Sequence, residues 1–210
     1  MMLVKGLGNT LLITLCALLI GIVIGSVIAI AKYYAEGNKK LKIVNVVCDI
    51  YTTAIRGIPV TVLLMIFYFV IIVSDTTGIT TAIIAFGINS GAYIAEIVRS
   101  GIMSINPGQM EAGRSLGFNY AQTMWHIILP QAIKNILPAL GNEMITLLKD
   151  TSLVSVIALR DVTMQTKNVA NLTYDVFVPY IALALIYLVI VVALTKLLNI
   201  FERRLRKSER

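Results

Sequence analysis

Ionisable side chains inside long apolar stretches are the residues of this sequence best suited to chemistry. The sharpest case is Glu143, which follows Pro138 and Asn142 in mostly apolar sequence. A carboxylate in such surroundings must face a partner charge or a wet cavity, and it marks a ligand path by default. An ion pair with Lys149 is the structural alternative. The functional alternative is that Glu143, with Asn142 beside it, captures a cationic group such as an α-ammonium or a basic side chain.

A second polar cluster follows the same apolar stretch. Asp150, Thr151 and Ser152 are residue types that cap helix N-termini, so they predict a helix start there, whose free N–H groups would suit a carboxylate ligand. Further on, Asp161 could bind an ammonium or a guanidinium, and Arg160 could bind a carboxylate. The alternative is that this segment only packs and gates one side of the path.

Three other charged residues lie in or near apolar stretches. Arg56 precedes Pro59, and a basic side chain near a helix end usually extends to the membrane surface, which is the interpretation we favour. Glu96 and Arg99 are spaced to form a structural pair. Tyr93 lies close to both and is an additional candidate ligand contact.

A polar, glycine- and proline-containing interruption separates two apolar regions in the middle of the chain. Asn106-Pro107 predicts a helix start, because asparagine caps a helix and proline fits its first turn. Gly117 can adopt the left-handed conformation that ends the helix. Asn119, three residues before a glutamine, predicts a capping box that opens the next helix.

The short helix predicted after Asn106-Pro107 has few large apolar side chains, only Met110 and Leu116. Its small residues Gly108, Ala112 and Gly113 permit close approach, and Glu111 and Arg114 would lie at its sides. Such a helix suits a groove on a partner protein. It equally suits a connector that rests on lipid headgroups, and the residues alone leave both possibilities open.

The composition requires a membrane protein. Hydrophobic residues make up 58% of the 210-residue chain, only 14% are charged, and the mean hydropathy is +0.85. The net charge of +7 does not indicate nucleic acid, because the basic residues lie at the ends of apolar runs instead of on one face. Cys16 and Cys48 have no repeated spacing, and they indicate neither a disulfide framework nor a metal site.

Five apolar segments are long enough to span a bilayer, which needs about 20 residues. The first is too long and has the wrong flanking charges for a cleaved signal peptide. The third is the most polar, and Pro130 and Pro138 break the fourth. The sequence thus predicts an all-α, polytopic membrane protein whose spans are Leu7–Ala31, Tyr51–Val73, Ile79–Ile102, Trp125–Leu148 and Val178–Phe201.

The distribution of lysine and arginine predicts the orientation. Eleven of them flank the spans on one side and four on the other. The positive-inside rule therefore places the N-terminus outside and the C-terminus in the cytoplasm. The short helix then lies in a cytoplasmic loop, at about 103–119, and a basic cytoplasmic tail covers 202–210.

The short helix and the start of the next apolar region resemble the EAA loop of the membrane-spanning subunits of ABC importers. That signature is Glu-Ala-Ala, three residues, Gly, about nine residues, then an apolar residue two before a proline. The positions that match are Glu111, Ala112, Gly117, Ile128 and Pro130. Gly113 replaces the second alanine, which keeps the residue small and lowers the intrinsic stability of the helix slightly.

Further segments, in the same order, resemble the polar amino acid branch of these permeases, the histidine/glutamine/arginine type. The resemblance covers about residues 8–202. The segments are "RGIPVTVLL" (Arg56–Leu64), "GAYIAEIVRSGIMSINPGQ" (Gly91–Gln109) and "LLKDTSLVSVI" (Leu147–Ile157).

The resemblance implies a type I ABC importer-like permease, multi-pass in a bacterial-type inner membrane, with the whole chain, 1–210, as one permease domain. It implies three protein partners: an ABC ATPase subunit, a second permease subunit (a second copy or a sister chain), and an extracytoplasmic solute-binding protein. The short helix would be the coupling helix, whose residues are Gln109, Glu111, Ala112, Gly113, Arg114, Leu116 and Gly117. The chain has no phosphate-binding Gly-x-x-x-x-Gly-Lys-Ser/Thr loop, so ATP and Mg would be bound by the ATPase. No cofactor is expected on this chain.

The expected function is transport, by alternating access, of a polar amino acid, with a basic one favoured; the chain itself is expected not to be an enzyme. The acidic candidates favour a basic substrate, but they would serve any α-ammonium equally. The competing function is an ion-coupled secondary transporter or a channel without an ATPase, which often carries an internal inverted repeat. No convincing repeat is present in the sequence.

Overall fold

A computed structural model describes residues 1–36 and 39–207, and every regular element in these ranges is helical. The α-helices are α1 (Met2–Ala35), α2 (Lys42–Gly57), α3 (Val60–Ile66), α4 (Ile79–Met103), α5 (Gly108–Ser115), α6 (Tyr120–Thr123), α7 (Leu129–Asp150), α8 (Val162–Thr173) and α9 (Phe177–Lys207). π-helical turns occupy Phe67–Ile71 and Met124–Ile128, and 3-10 turns occupy Lys39–Leu41 and Thr151–Ile157. Of the basic tail predicted at 202–210, residues 208–210 lie outside the described residues.

Three of the described helices, α1, α4 and α9, are long and apolar enough to cross a membrane. A fourth crossing is formed if α2 and the segment Val60–Ile71 count as one broken span. α7 is long enough, at 22 residues, but it is more polar than these helices and is not recognised as a span by its composition. The chain is therefore multi-pass, with three or four spans recognisable by length and composition.

The second span, predicted at Tyr51–Val73, is broken into two helices that meet at a sharp angle. α2 ends at Gly57, and the chain turns by 103° before α3 begins. Ile58 is extended, at φ −92° and ψ 128°, because the ring of Pro59 disfavours a helical conformation in the preceding residue. Pro59 then precedes the first turn of α3, where its missing N–H costs no hydrogen bond.

The prolines in the fourth predicted span do not interrupt it. The helix runs without a gap from α6 through the π turn Met124–Ile128 into α7. Pro130 lies in the first turn of α7, directly after the π turn, and Pro138 lies inside α7. Proline is tolerated in a spanning helix when local adjustments such as a π turn satisfy the freed carbonyl groups.

The core is built on close contact between α1 and α4. Fully buried Ile13, Ala17 and Phe86 lie in the main apolar cluster, which also takes in residues of α3, α7 and the Thr151–Ile157 turn. Glycines on both helices allow the approach. A Cβ at Gly25 would lie 2.7 Å from Ile94 Cβ and 2.8 Å from the backbone N of Ala95. Small residues commonly let membrane helices approach in this way.

Gly25→Ala is expected to destabilise the protein, whereas Gly8→Ala on the same helix is not. The added methyl at Gly25 meets backbone that cannot move aside, and overpacking of this kind costs about 1–3 kcal/mol. A methyl at Gly8 would have no neighbouring atom within 4 Å, so alanine there only improves helix propensity, by up to about 1 kcal/mol. Thermal unfolding in detergent measures both variants. Equal melting temperatures for the two would contradict the packing described for α1 and α4.

α9 is the least enclosed of the described spans, because no residue in its most apolar 18-residue stretch is buried. It contacts α7 and α8. A Cβ at Gly141 would clash with Leu198, so the absence of a side chain at Gly141 lets α7 and α9 meet. Tyr187 on α9 and Thr163 on α8 place their hydroxyl oxygens 3.3 Å apart.

The loop between Phe67–Ile71 and α4 is organised by Asp75. Its Oδ2 accepts hydrogen bonds from the backbone N and Oγ1 of Thr81, at 2.8 and 2.9 Å, and its Oδ1 accepts from Thr77 and Gly78. Partial burial raises the pKa of Asp75, but the hydrogen bonds from Thr81 and Thr77 outweigh it and lower the pKa to about 2. The ionised carboxylate therefore holds the first turn of α4.

Asp75→Asn is expected to lower the melting temperature at pH 7 by an amount that shrinks in acid. Because the folded pKa lies below the usual aspartate value of about 3.9, the stabilisation is complete above about pH 4 and is lost as the pH falls towards 2. Thermal unfolding of wild type and variant at pH 7 and pH 2.5 measures the difference. The exposed neighbour Thr80, changed to alanine, is the control. A difference between wild type and Asp75→Asn that does not depend on pH would contradict this assignment.

Candidate functional site

A cavity of about 350 Å³ lies where α2, α3, α4 and α7 meet. The bend at Ile58-Pro59 forms one wall, α4 contributes Asn89 and Tyr93, and α7 contributes the remainder. Asn89 and Tyr93 lie near the middle of the 25-residue α4, so the cavity lies at mid-depth of the bundle. Its lining residues are Arg56, Gly57, Ile58, Pro59, Val60, Asn89, Tyr93, Glu143, Thr146 and Asp150.

Glu143 is held in this cavity by a hydrogen bond across two helices. Ser90 on α4, fully buried, donates its Oγ hydrogen to Glu143 Oε1 at 2.8 Å. The structural alternative, an ion pair with Lys149, is not present among the described residues, where Lys149 is exposed. The carboxylate that lines the cavity is thus oriented by a neutral donor.

Arg56 lines the same cavity from the last turn of α2. Its guanidinium carbon lies 5.3 Å from the centre of the Tyr93 ring, within the range of a cation–π interaction. The sequence favoured an Arg56 that reaches the membrane surface, because a straight second span would put it near a helix end. The turn at Ile58-Pro59 brings the end of α2 to the cavity, where the exposed Arg56 side chain lies over Tyr93, and Gly57 and Pro59 were the sequence signals for the break.

A helical turn does begin at Thr151, as predicted from Asp150, Thr151 and Ser152, but it is not a free helix N-terminus. α7 continues through Asp150 and passes directly into the 3-10 turn Thr151–Ile157, so the Thr151 N–H is already bonded to the carbonyls of Leu147 and Lys149. Thr151 Oγ1 also donates backwards, to Leu148 O at 2.6 Å. Of the three residues, Asp150 lines the cavity and the other two do not.

The remaining predicted ligand residues lie away from the cavity. Asp161 is fully buried and caps α8, accepting hydrogen bonds from the backbone N of Thr163 and Met164 at 3.0 and 2.7 Å. Arg160 is exposed, at the end of the bundle opposite α5, and its carbonyl accepts from Asn9 Nδ2. Asn142 is exposed on α7 and is not among the cavity's lining residues.

The short helix predicted after Asn106-Pro107 is confirmed as α5. Asn106 Oδ1 accepts the Gly108 N–H at 2.8 Å, and Gly117 has φ +88°, the left-handed conformation expected. The capping box that opens α6 is also present, since Asn119 and Gln122 exchange hydrogen bonds of 2.9 Å in both directions.

The surface of α5 is open except at Gly113 and at Met110, which is half-buried. Gly113 is buried, whereas the other predicted coupling residues are exposed: Gln109, Glu111, Ala112, Arg114, Leu116 and Gly117. Leu116 is 78% exposed and Trp125, beyond α6, is 70% exposed. The exposed charged groups of α5 thus lie close in sequence to large exposed apolar side chains that follow the helix, and exposed apolar side chains of this size occur in docking surfaces.

Gly113 makes its close approach within the chain. A Cβ there would lie 2.5 Å from Thr123 Cγ2 and 3.0 Å from Thr123 Oγ1. Thr123 is fully buried, and its hydroxyl donates to Asn119 O at 3.0 Å. The departure from the alanine of the EAA signature therefore has a local cause, since Thr123 occupies the space that a methyl would need.

Charged and polar groups enclosed at mid-depth of an apolar helical bundle are costly, and membrane proteins keep them where a solute must pass. By class, this protein is therefore a membrane permease. More particularly, the chain belongs to the family of the binding-protein-dependent transport system inner membrane component, whose sequence profile matches residues 21–207.

Two curated proteins of Bacillus subtilis (strain 168) illustrate the relationship. The probable amino-acid ABC transporter permease protein YckA is 39% identical over 203 residues, covering 96% of this chain and 88% of the relative. The arginine transport system permease protein ArtQ is 36% identical over 208 residues, covering 98% and 93%.

Solved structures agree with the sequence relatives. A crystal structure of an amino acid ABC transporter with histidines matches with a TM-score of 0.89 at 43% identity, covering 97% of this chain and 94% of that one. The MetNI methionine ABC transporter, in inward-facing conformations, matches with a TM-score of 0.83 at 21% identity, and shows the fold alone. This chain is thus an ABC transporter permease subunit. It is not itself an enzyme, because ATP hydrolysis belongs to a separate subunit.

Proposed function

We propose that this chain forms half of the membrane path of an ATP-driven importer for a polar, basic amino acid. The observation that carries the proposal is the cavity in which Glu143 and Asp150 lie on α7 with Arg56 opposite, on α2. The names of relatives support an amino acid as the substrate class, since they include an arginine transport permease and probable glutamine and amino-acid permeases.

The formal charges in the cavity match a basic amino acid better than a neutral one. Two carboxylates and one guanidinium line it, which sum to one negative charge. A basic amino acid brings one carboxylate and two cationic groups, the complementary set. In this proposal Arg56 binds the α-carboxylate. Of Glu143 and Asp150, one binds the α-ammonium and the other binds the cationic side chain. Charge pairs strengthen in a site that excludes water.

α7 serves as the fifth span. It is 22 residues long, or about 33 Å at the rise of an α-helix. Its polar residues Glu143, Thr146 and Asp150 line the cavity. That position explains why α7 is too polar to be recognised by composition, since a helix that lines a solute path does not need to be apolar on that face. The lysine and arginine distribution supports an outside N-terminus and a cytoplasmic C-terminus.

α5 serves as the coupling helix and docks on the ATPase subunit, which holds ATP and Mg. The exposed side chains of Glu111, Arg114 and Leu116 support this assignment. A second permease subunit, either a second copy or a sister chain, completes the path, and an extracytoplasmic binding protein delivers the solute. Movement of α5 with the ATPase exchanges two packed arrangements of the bundle, which opens the cavity to one side at a time.

The test is reconstitution in vesicles with a candidate ATPase, a candidate binding protein and, if required, a sister permease. Arginine, lysine, histidine and glutamine are supplied in turn, and ATP hydrolysis and uptake are measured. We expect a basic amino acid to stimulate both. Stimulation by none of the four would overturn the substrate class, and uptake that follows an ion gradient without the ATPase would establish a secondary transporter instead.

A further inference from the structure

Two tyrosines connect the segment after α5 to the end of α1. The rings of Tyr33 and Tyr120 stack, with centres 6.4 Å apart and planes at 22°, and the Tyr120 hydroxyl donates to the Tyr33 hydroxyl. Tyr120 is the first residue of α6, directly after the capping residue Asn119. Tyr33 and Met110 of α5 also pack against the same apolar cluster, whose buried members include Ile102 and Met124. A displacement of α6 therefore reaches Tyr33 directly, and a displacement of α5 reaches it through this shared cluster.

Lys32, the residue before Tyr33, connects α1 to α2. Lys32 Nζ forms an ion pair with Asp49 and lies 2.6 Å from its Oδ1. The lysine side chain is only 18% exposed, so solvent screens this pair less than a fully exposed one. Lys32 thus contacts α2, and its neighbour Tyr33 contacts α6.

α2 carries the connection to the cavity. Arg56 lies seven residues after Asp49, about two helical turns. Because a helix transmits displacement along its axis as a rigid rod, a shift at Asp49 moves Arg56 against the Tyr93 ring. Tyr51, between the two, donates its hydroxyl to Ile88 O at 2.6 Å and ties the middle of α2 to α4 just before Asn89.

We infer that Tyr33 is a positioning residue that links the α5 segment to Arg56 in the cavity, through Tyr120 on one side and through Lys32, Asp49 and α2 on the other. The inference rests on the proposed function of α5 as the coupling helix. It assigns the transmission of ATPase movement to α1 and α2, in addition to the continuous helix that joins α6 to α7. Chains of packed side chains, hydrogen bonds and ion pairs can carry coupling of this kind, and each contact named above is present in this structure.

Tyr34 provides a matched control. It is 56% exposed, and its ring meets Tyr33 edge-on at 6.0 Å without a hydroxyl contact to Tyr120. Tyr33→Phe and Tyr120→Phe each delete one hydroxyl of the same contact, whereas Tyr34→Phe deletes a hydroxyl outside it. All three substitutions conserve the ring, so helix packing is retained.

The first measurement is hydrogen exchange of α2 and α5 in the assembled transporter, with and without ATP trapped in the ATPase. In wild type and Tyr34→Phe we expect nucleotide-dependent changes in both helices. In Tyr33→Phe and Tyr120→Phe we expect the change in α5 to remain and the change in α2 to be lost. No change at α5 in wild type would overturn the coupling-helix assignment and this inference together, whereas a change at α5 that leaves wild-type α2 unaltered would overturn this inference alone.

The second measurement is the stimulation of ATP hydrolysis by the amino acid found in the reconstitution. We expect Tyr33→Phe and Tyr120→Phe each to weaken the stimulation about 2-fold to 30-fold, the range by which mutations along coupled contacts act. The double variant should be no worse than either single variant, because both delete one contact. Losses that add, or that equal the effect of Tyr34→Phe, would overturn the inference.

Discussion

Glu143→Gln is expected to reduce uptake of a basic amino acid by about 30-fold or more, because loss of one member of a desolvated charge pair costs about 2–5 kcal/mol. Glutamine keeps the shape of the side chain and an oxygen for the Ser90 hydroxyl, but it removes the charge that binds the substrate cation. Uptake into vesicles that contain the ATPase and the binding protein measures the loss, and co-purification with the ATPase shows that the variant is folded.

Two further variants separate charge from geometry in the cavity. Ser90→Ala removes the hydrogen bond at 2.8 Å but leaves the carboxylate, so we expect a much smaller loss than in Glu143→Gln. Asp150→Asn removes the second carboxylate and should weaken uptake of basic amino acids more than that of glutamine. If Ser90→Ala and Glu143→Gln impaired uptake equally, orientation of Glu143 and not its charge would be the important property.

Gly117→Val is expected to reduce ATP-driven uptake roughly tenfold or more, while the membrane helices stay folded. The reason is conformational: Gly117 has φ +88°, yet a Cβ at this position would meet no atom within 4 Å. Valine is strongly disfavoured in the left-handed region. The turn between α5 and α6 would therefore rearrange and displace the exposed side of α5 from the ATPase.

Gly117→Asn is the matched control, because asparagine tolerates the left-handed region and there is space for its side chain. Uptake and ATPase co-purification should both be largely retained in Gly117→Asn and lost in Gly117→Val. Wild-type uptake by Gly117→Val would contradict the role proposed for α5. Equal loss in both variants would instead indicate that the partner contacts the bare backbone at residue 117.

The features that sequence predicted well are those set by neighbouring residues. The start of α5 at Asn106-Pro107, its left-handed end at Gly117 and the capping box at Asn119 depend on hydrogen bonds within a few positions. Glu143 was conspicuous as a charge in apolar sequence, and it lines the cavity with Tyr93, while its role in binding a ligand stays a prediction.

The features that sequence missed depend on direction in space. Pro59 marked where the second span breaks, but not that the chain leaves at 103°, so the position of Arg56 beside the cavity was not predicted. Thr151 has the residue type of an N-cap, yet it lies at the C-terminal end of α7, where its hydroxyl donates to the carbonyl of Leu148. Side-chain type alone does not distinguish these two uses of threonine.

The contact between Gly113 and Thr123 restricts the order in which the two positions can change during evolution. Alanine at residue 113, as in the EAA signature, is expected to fit better once residue 123 loses its γ-methyl, which Thr123→Ser would do while keeping a hydroxyl for Asn119 O; Ile127 Cδ1, at 3.0 Å, would still have to shift slightly. In the reverse order the intermediate carries a methyl against Thr123 Cγ2, so α5 or Thr123 must shift to accommodate it. A glycine at this position of the signature is therefore expected to persist in a lineage for as long as a β-branched residue stands ten positions later.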